Sequence, residues 1–284
     1  MQTIQKPLLF IGGGNMAHAI ISGAIGSGVL DSSMVAVLDP DADRRMMFET
    51  GVAGMQEAFG WLSEAGQRGC EGCGIVLAVK PQMLSQAVEP IPGLIEGLDC
   101  EPSVISILAG TRSEQISNAM HGHGRVVRVM PNTPAQLGQG MTAIAETASS
   151  TPADMELADR LFGAVGETVR IDESMMDAFT AIAGSGPAYV FYLVEAMTKA
   201  AESLGFDAGT ARRVVEQTVT GSASLLCASD DDAATLRGRV TSKNGTTHAA
   251  TTTLDERRVM DAFVEALAAA RDRGVELGRE SEVQ

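Results

Sequence analysis

Leu8-Leu9-Phe10-Ile11-Gly12-Gly13-Gly14-Asn15-Met16-Ala17 is the stretch that decides how this chain folds. A short apolar run meets three glycines, and His18-Ala19-Ile20-Ile21 opens a helical pattern directly afterwards. That order is a buried strand, a tight turn and a helix start, the unit that receives the pyrophosphate of a dinucleotide. Gly12 permits the turn, and Gly14 lets backbone N–H groups approach phosphate oxygens with no Cβ in the way. Ala17 stands at the third glycine position of G-x-G-x-x-G, a change that helix–strand packing tolerates. Any α/β domain can carry a glycine-rich turn. The place of this one, after a strand and before a helix, is what points to a cofactor.

Working outward, Met34-Val35-Ala36-Val37-Leu38-Asp39 reads as a second strand ending in an acid. Asp39 lies 25 positions past Gly14, near where such a unit places its ribose-binding carboxylate, which favours NAD. Arg44 and Arg45 follow closely, and an arginine there suits the 2′-phosphate of NADP, so both cofactors stay open. Three further apolar runs follow: Gly74–Val79, Ser103–Leu108 and Arg125–Met130. They end at Lys80-Pro81-Gln82, Ala109-Gly110-Thr111 and Pro131-Asn132-Thr133-Pro134. Near-continuous apolar runs mark parallel strands covered on both faces, and ligands bind beyond the carboxyl ends of such strands. The three turns are therefore expected to converge on one cofactor. Val79, Lys80, Pro81, Ala109, Gly110 and Asn132 join Gly12, Gly14, Asn15, Met16 and Asp39 as candidate cofactor contacts. Gly140–Ala145 and Glu167–Ile171 read as closing strands around a helix near 152–163.

From Glu173 on, the strand signals stop and apolar residues recur at three- and four-residue spacing. The expected architecture is an α/β Rossmann-like dinucleotide-binding domain over 1–172, then an all-α domain over 173–284. Gly184-Ser185-Gly186-Pro187 interrupts the helices, with Pro187 suited to the first turn of a new one. That helix is apolar around much of its circumference (Ala188, Tyr189, Val190, Phe191, Leu193, Val194), and a helix of that kind must be buried. About a hundred helical residues are too few to bury it, so a second subunit is expected to cover part of it. Further on, Val240-Thr241-Ser242-Lys243-Asn244-Gly245-Thr246-Thr247-His248 is a polar loop feeding a helix start, which suits a carboxylate or phosphate as well as an ordinary helix cap.

Composition bounds the rest. A chain of 284 residues suffices for two cores, and a formal net charge of −15 argues against a nucleic-acid partner. No apolar run approaches the ~20 residues that span a bilayer. The opening Met-Gln-Thr-Ile-Gln-Lys has no apolar signal region, so a cytoplasmic location and no membrane contact are expected. Cys70-Glu71-Gly72-Cys73 spells C-x-x-C, but no second pair supplies the other ligands of a zinc site, so no metal is expected.

Five blocks taken together resemble a known family: Phe10–Ala17, Ala78-Val-Lys-Pro-Gln82, Met130-Pro-Asn-Thr-Pro-Ala135, Gly184–Phe191 and Val240–Thr247. Their order and wording are similar to pyrroline-5-carboxylate reductase, and the last two blocks are the most specific. The resemblance implies reduction of 1-pyrroline-5-carboxylate to L-proline, the last step of proline synthesis, with NADPH or NADH as hydride donor. It also implies a helical dimerisation domain, in a homodimer that often assembles into a decamer. By the same resemblance Thr247 contacts the imine nitrogen, polarising it more than protonating it. The substrate carboxylate is expected against Ser242, Asn244, Gly245 and Thr246, and Lys80 beside the nicotinamide as a third catalytic candidate. His248 is a lesser candidate for the acid. Two positions depart from the family pattern: Lys243-Asn244 replaces the usual Pro-Gly, and Asp39 stands where relatives often carry a small hydroxyl residue. Competing readings are an imine reductase or β-hydroxyacid dehydrogenase with another substrate, and a non-catalytic NAD(P)-binding sensor. Alcohol-oxidising relatives carry a helix lysine that here first occurs at Lys199, about three turns on.

Overall fold

Strand β1 (Leu8–Ile11) is wholly buried because it lies between two parallel neighbours, β2 (Val35–Leu38) and β4 (Gly74–Leu77). Phe10 stands in register with Val37 on one side and Val76 on the other. The computed structural model describes residues 3–67 and 72–280. Among the described residues one sheet of eight strands runs in the order β3-β2-β1-β4-β5-β6-β7-β8. The others are β3 (Gly51–Val52), β5 (Ser103–Ser106), β6 (Arg125–Met130), β7 (Gly140–Ala145) and β8 (Gly166–Ile171). Helices α1 (Asn15–Gly26) and α2 (Met55–Gly66) follow β1 and β3 as crossovers.

Apolar layers cover both faces of the sheet, as near-continuous apolar strands require. Phe10, Ile20, Val76, Val127, Leu161 and Phe162 fill one. Ile11, Phe59, Leu62, Leu77, Val104 and Ile116 fill the other. The parallel run ends at β6, since β7 pairs with it antiparallel, Val129 opposite Ile144. The connection is too short for a parallel crossover, which needs a dozen or more residues. Helix α3 (Pro152–Gly163) then returns the chain to β8, parallel to β7.

The chain divides into two compact units, residues 1–185 with 270–284, and Gly186–Ala269. The last strand ends at Ile171, beside the boundary read from the sequence. The first unit nevertheless runs on to Ser185, because Met176 is buried against Ala143 and Ala145 of β7. The second unit holds α4 (Gly186–Ser203), α5 (Ala208–Cys227), a short helix Ala233–Arg239, α6 (Thr246–Glu256) and the start of α7 (Val259–Glu280). A π-turn at Thr180–Gly184 precedes α4, and Pro187 falls in its first turn. No residue of α4 is buried, and in α5 only Ala211 and Val215 are. Among the described residues no helix is long and apolar enough to cross a membrane.

Candidate active site

In the first unit the glycine turn is built for close approach. Gly12 has φ +105°, and a Cβ there would stand 2.6 Å from the Ala78 carbonyl oxygen. Only glycine lets the ends of β1 and β4 come so near. Gly14 differs: a Cβ there would meet nothing within 4 Å, so the space in front of it is open. Gly14 is also the N-cap of α1, and no side chain caps that end. The first-turn N–H groups, Asn15 and Met16 among them, thus face open space at the positive end of the helix. The cradle fits a pyrophosphate.

Asp39 sits just past β2 and is 2% exposed. Its Oδ2 accepts the Gly13 N–H at 2.8 Å, and its Oδ1 accepts the Asp41 N–H at 2.9 Å. Arg45 donates to the carbonyl oxygens of Asp39 and Pro40 at 2.9 and 2.8 Å. Arg44 pairs with the Asp39 carboxylate at 3.5 Å. Spacing located Asp39 in the sequence. Its grip on Gly13 depends on backbone geometry and was not legible there.

The turns after β4, β5 and β6 gather along the carboxyl edge of the sheet, since those strands are adjacent and parallel. Lys80 is exposed, with Val79 and Pro81 half-buried beside it. Ala109 is exposed, whereas Gly110 (φ +69°) faces the C-terminal end of α7, where an added Cβ would stand 3.5 Å from Leu277 Cβ. Gln115 reinforces that contact by donating to the Gly278 carbonyl at 2.8 Å. Asn132 is buried, and its amide is occupied by the protein: Nδ2 donates to the Ala183 carbonyl at 3.0 Å and Oδ1 accepts the Met141 N–H at 2.9 Å. It therefore fixes the turn after β6 more than it offers a free group.

Sequence reasoning passed over Arg128. Its side chain lies in the buried strand β6, 3.5 Å from Glu173 and 3.9 Å from Asp177. Burial pushes its guanidinium below the ordinary arginine range, opposed by both carboxylates. Glu173 also accepts the Ser113 N–H at 2.7 Å and the Ser113 hydroxyl at 2.6 Å, tying the turn after β5 to β6. The signal available was the arginine interrupting Arg-Val-Val-Arg-Val-Met.

In the second unit, Ser242–Thr247 forms a turn that opens α6. Asn244 has φ +58°, the left-handed backbone that asparagine tolerates better than most residues, so the turn survives the loss of a glycine there. Gly245 is the N-cap of α6, its N–H bonded to the Ser242 carbonyl at 3.0 Å. Its missing Cβ makes room for Ser242 Oγ, which would collide with any side chain at 245. Thr246 is exposed and Thr247 half-buried, both in the first turn of α6, and no side chain caps that end. His248 is exposed. Cys70, half of the C-x-x-C pattern, lies outside the described residues.

Comparison with known proteins decides the family. A pyrroline-5-carboxylate reductase from Haemophilus influenzae is 36% identical over 275 residues, covering 96% of this chain and 97% of the relative. The chain belongs to the pyrroline-5-carboxylate reductase family. A family model for pyrroline-5-carboxylate reductase dimerisation matches residues 173–277, and one for NADP oxidoreductase, coenzyme F420-dependent, matches residues 7–110. Among solved structures, a reductase of this family from Coxiella burnetii shares 30% identity with a TM-score of 0.84, over 96% of this chain and 98% of that one. A pyrroline carboxylate reductase from Plasmodium falciparum, solved with NADP bound, shares the fold at a TM-score of 0.83 and 24% identity, over 98% of this chain and 100% of that one. The architecture is thus a Rossmann-like sheet followed by the family's helical dimerisation domain.

Proposed function

We propose that this protein reduces the cyclic imine of 1-pyrroline-5-carboxylate to L-proline, drawing on NADH or NADPH. One observation carries the reading: the chain is similar to reductases of that name along nearly its whole length, so the glycine turn and the Ser242–Thr247 loop occur together. The sensor reading gives no reason for that second loop.

When bound, the reduced nicotinamide supplies the hydride. Gly14, Asn15 and Met16 take the pyrophosphate at the α1 start, and Gly12, whose own N–H is bonded to the Leu38 carbonyl, makes the turn beneath it. Asp39 takes the adenosine ribose, and Val79, Lys80, Pro81 and Ala109 border the nicotinamide half. Gly110 and Asn132 hold two of those turns in shape. Ser242 and the Thr246 N–H take the substrate carboxylate at the start of α6, with Asn244 and Gly245 setting the turn; the Gly245 N–H, expected beside them, is spent on the Ser242 carbonyl. The Thr247 hydroxyl faces the imine nitrogen and stabilises the electron density it gains.

The apolar face of α4 pairs with a second copy, giving a homodimer that can assemble further into a decamer. The work is placed in the cytoplasm, which fits a reductase drawing on the pool of reduced nicotinamide. The deciding assay mixes purified protein and pyrroline-5-carboxylate with NADH or NADPH in parallel and follows loss of nicotinamide absorbance. Substrate-dependent oxidation of at least one cofactor is expected. Oxidation of neither removes this reductase reading in favour of an imine reductase with another substrate or the sensor.

A further inference from the structure

At the amino end of the sheet, away from the turns of the candidate active site, two thiols face each other. Cys73 directly precedes β4, and Cys100 lies three residues before β5. The two strands are parallel neighbours with Gly74 opposite Ser103, and the Ser103 N–H bonds to the Cys73 carbonyl at 3.0 Å. This bond fixes the Cys73 backbone at the start of β5, with Cys100 in the bend that leads into the same strand. Both are free thiols, and their sulfurs stand 3.1 Å apart. The surroundings are not those of an inert core pair. A cavity of about 210 Å³ opens beside them between the end of α2 and Leu98–Cys100, with both cysteines in its wall. Cys73 is 2% exposed while Cys100 is only half-buried, so a reagent entering the cavity reaches Cys100 first.

We infer that Cys73 and Cys100 are an oxidation site, closing to a reversible disulfide between the starts of β4 and β5 when a peroxide reaches the cavity. The chemistry balances in two steps. The Cys100 sulfur, as its thiolate, attacks one peroxide oxygen; the O–O bond breaks, and Cys100 becomes a sulfenic acid with loss of water. The Cys73 sulfur then attacks the Cys100 sulfur, the S–S bond forms, and the S–O bond breaks. The hydroxide leaves as water, taking the Cys73 proton. The two thiols lose two electrons and two protons, and the peroxide is reduced to two waters. Burial pushes the Cys73 thiol well above its ordinary range, with the neighbouring Cys100 sulfur adding to the rise and the charges of Lys6 and Arg125 opposing it. That assigns Cys73 the resolving role and leaves first attack to Cys100. The bond would close a loop between residues 27 apart, restricting the unfolded chain.

The test uses the full-length protein, reduced, then treated with stoichiometric hydrogen peroxide and digested without reductant. The expected result is a peptide pair joined through Cys73 and Cys100, absent after dithiothreitol. The link is lost in Cys73→Ser and in Cys100→Ser and kept in Cys70→Ser. Because Cys100 is half-buried, Cys100→Ser carries the test even if replacing the buried Cys73 unfolds the chain, circular dichroism reporting the fold. Linkage through Cys70 or Cys227 instead, or Cys100 driven to sulfinic acid with no cross-link, overturns the inference. It stands independently of the reductase reading, since no substrate or cofactor enters the measurement.

Discussion

A carboxylate at the end of β2 can anchor the glycine turn or meet the cofactor; Asp39 does the first, and the proposed function gives it the second as well. Its two oxygens already hold Gly13 and Asp41, which leaves their remaining lone pairs for the hydroxyls of an adenosine ribose. A 2′-phosphate there would set negative charge against a buried carboxylate, while Arg44 is already paired with that carboxylate and Arg45 is engaged with two backbone carbonyls. NADH is therefore expected to outcompete NADPH. In Asp39→Ser the ratio of kcat/KM for NADPH to that for NADH should rise by about tenfold or more, since a charged hydrogen bond is worth roughly 1.5–3 kcal/mol and each 1.4 kcal/mol is tenfold. The ratio isolates this effect from the general loss caused by unhooking Gly13, and an unchanged ratio would sink it. Thr247 is tested differently. Thr247→Ala should lower kcat/KM for pyrroline-5-carboxylate by about tenfold or more, with cofactor dissociation constants from nicotinamide fluorescence nearly unchanged. Unaltered kinetics would remove the hydroxyl from the mechanism.

At the scale of elements, the joint between β5, β6 and α3 is held by one fully buried carboxylate. Asp154 accepts from Arg125 Nε at 2.8 Å and from the Thr151 hydroxyl at 2.6 Å, and it also accepts from Ser103. Thr151 and Asp154 form a reciprocal capping box at the start of α3. Burial pushes the Asp154 carboxyl up, yet the hydrogen bonds from Arg125, Ser103 and Thr151 outweigh it and hold the group well below the ordinary carboxylate range. The sign follows from the protons bound. As pH falls below about 4, the unfolded chain protonates this carboxyl first, so its stabilising contribution, complete above that point, is lost as pH drops towards the folded value. Asp154→Ala should lower the unfolding free energy at pH 7 by about 2–3 kcal/mol, because Ser103, Thr151 and Arg125 lose their shared buried acceptor while Arg125 keeps Glu101. It should also flatten the acid limb of a stability–pH curve measured by urea titration; an acid limb as steep as that of the parent chain would refute the assignment. Elements of this kind were largely legible beforehand, since β1, β2, β4, β5 and β6 are apolar runs and α3 carries its cap in its sequence. Two features were not. β3 is a two-residue edge with no period to detect, and the reversal at β7 is written only in the shortness of the connection before it.

For the whole molecule, what one chain leaves undone is the informative part. The composition of α4 demands burial, yet Phe191 is 67% and Tyr192 72% exposed, and Val190 and Leu193 lie open beside them. A monomer seldom presents so continuous an apolar face, whereas obligate dimers bury interfaces resembling a domain core cut in half. The sequence pattern of α4 and its exposure in one chain both point to a covering partner. The sequence could not show which surface answers that need, because burial between chains leaves no periodicity distinct from burial within one. The proposed dimer would bear on the substrate loop as well: Gly186 and Pro187 open the same helix that carries the apolar face, and Ser242–Thr247 lies in the same unit. Carboxylates on that face should separate the chains, as neither could keep its hydration inside an apolar interface. Phe191→Glu with Tyr192→Glu is expected to shift the sedimentation coefficient from dimer, or larger assembly, to monomer. The melting temperature should fall with it and lose the dependence on protein concentration expected of an associating parent chain. Cofactor affinity should survive better than turnover, because the glycine turn belongs to the other unit. A double variant that stays fully dimeric at micromolar concentration would refute α4 as the pairing surface.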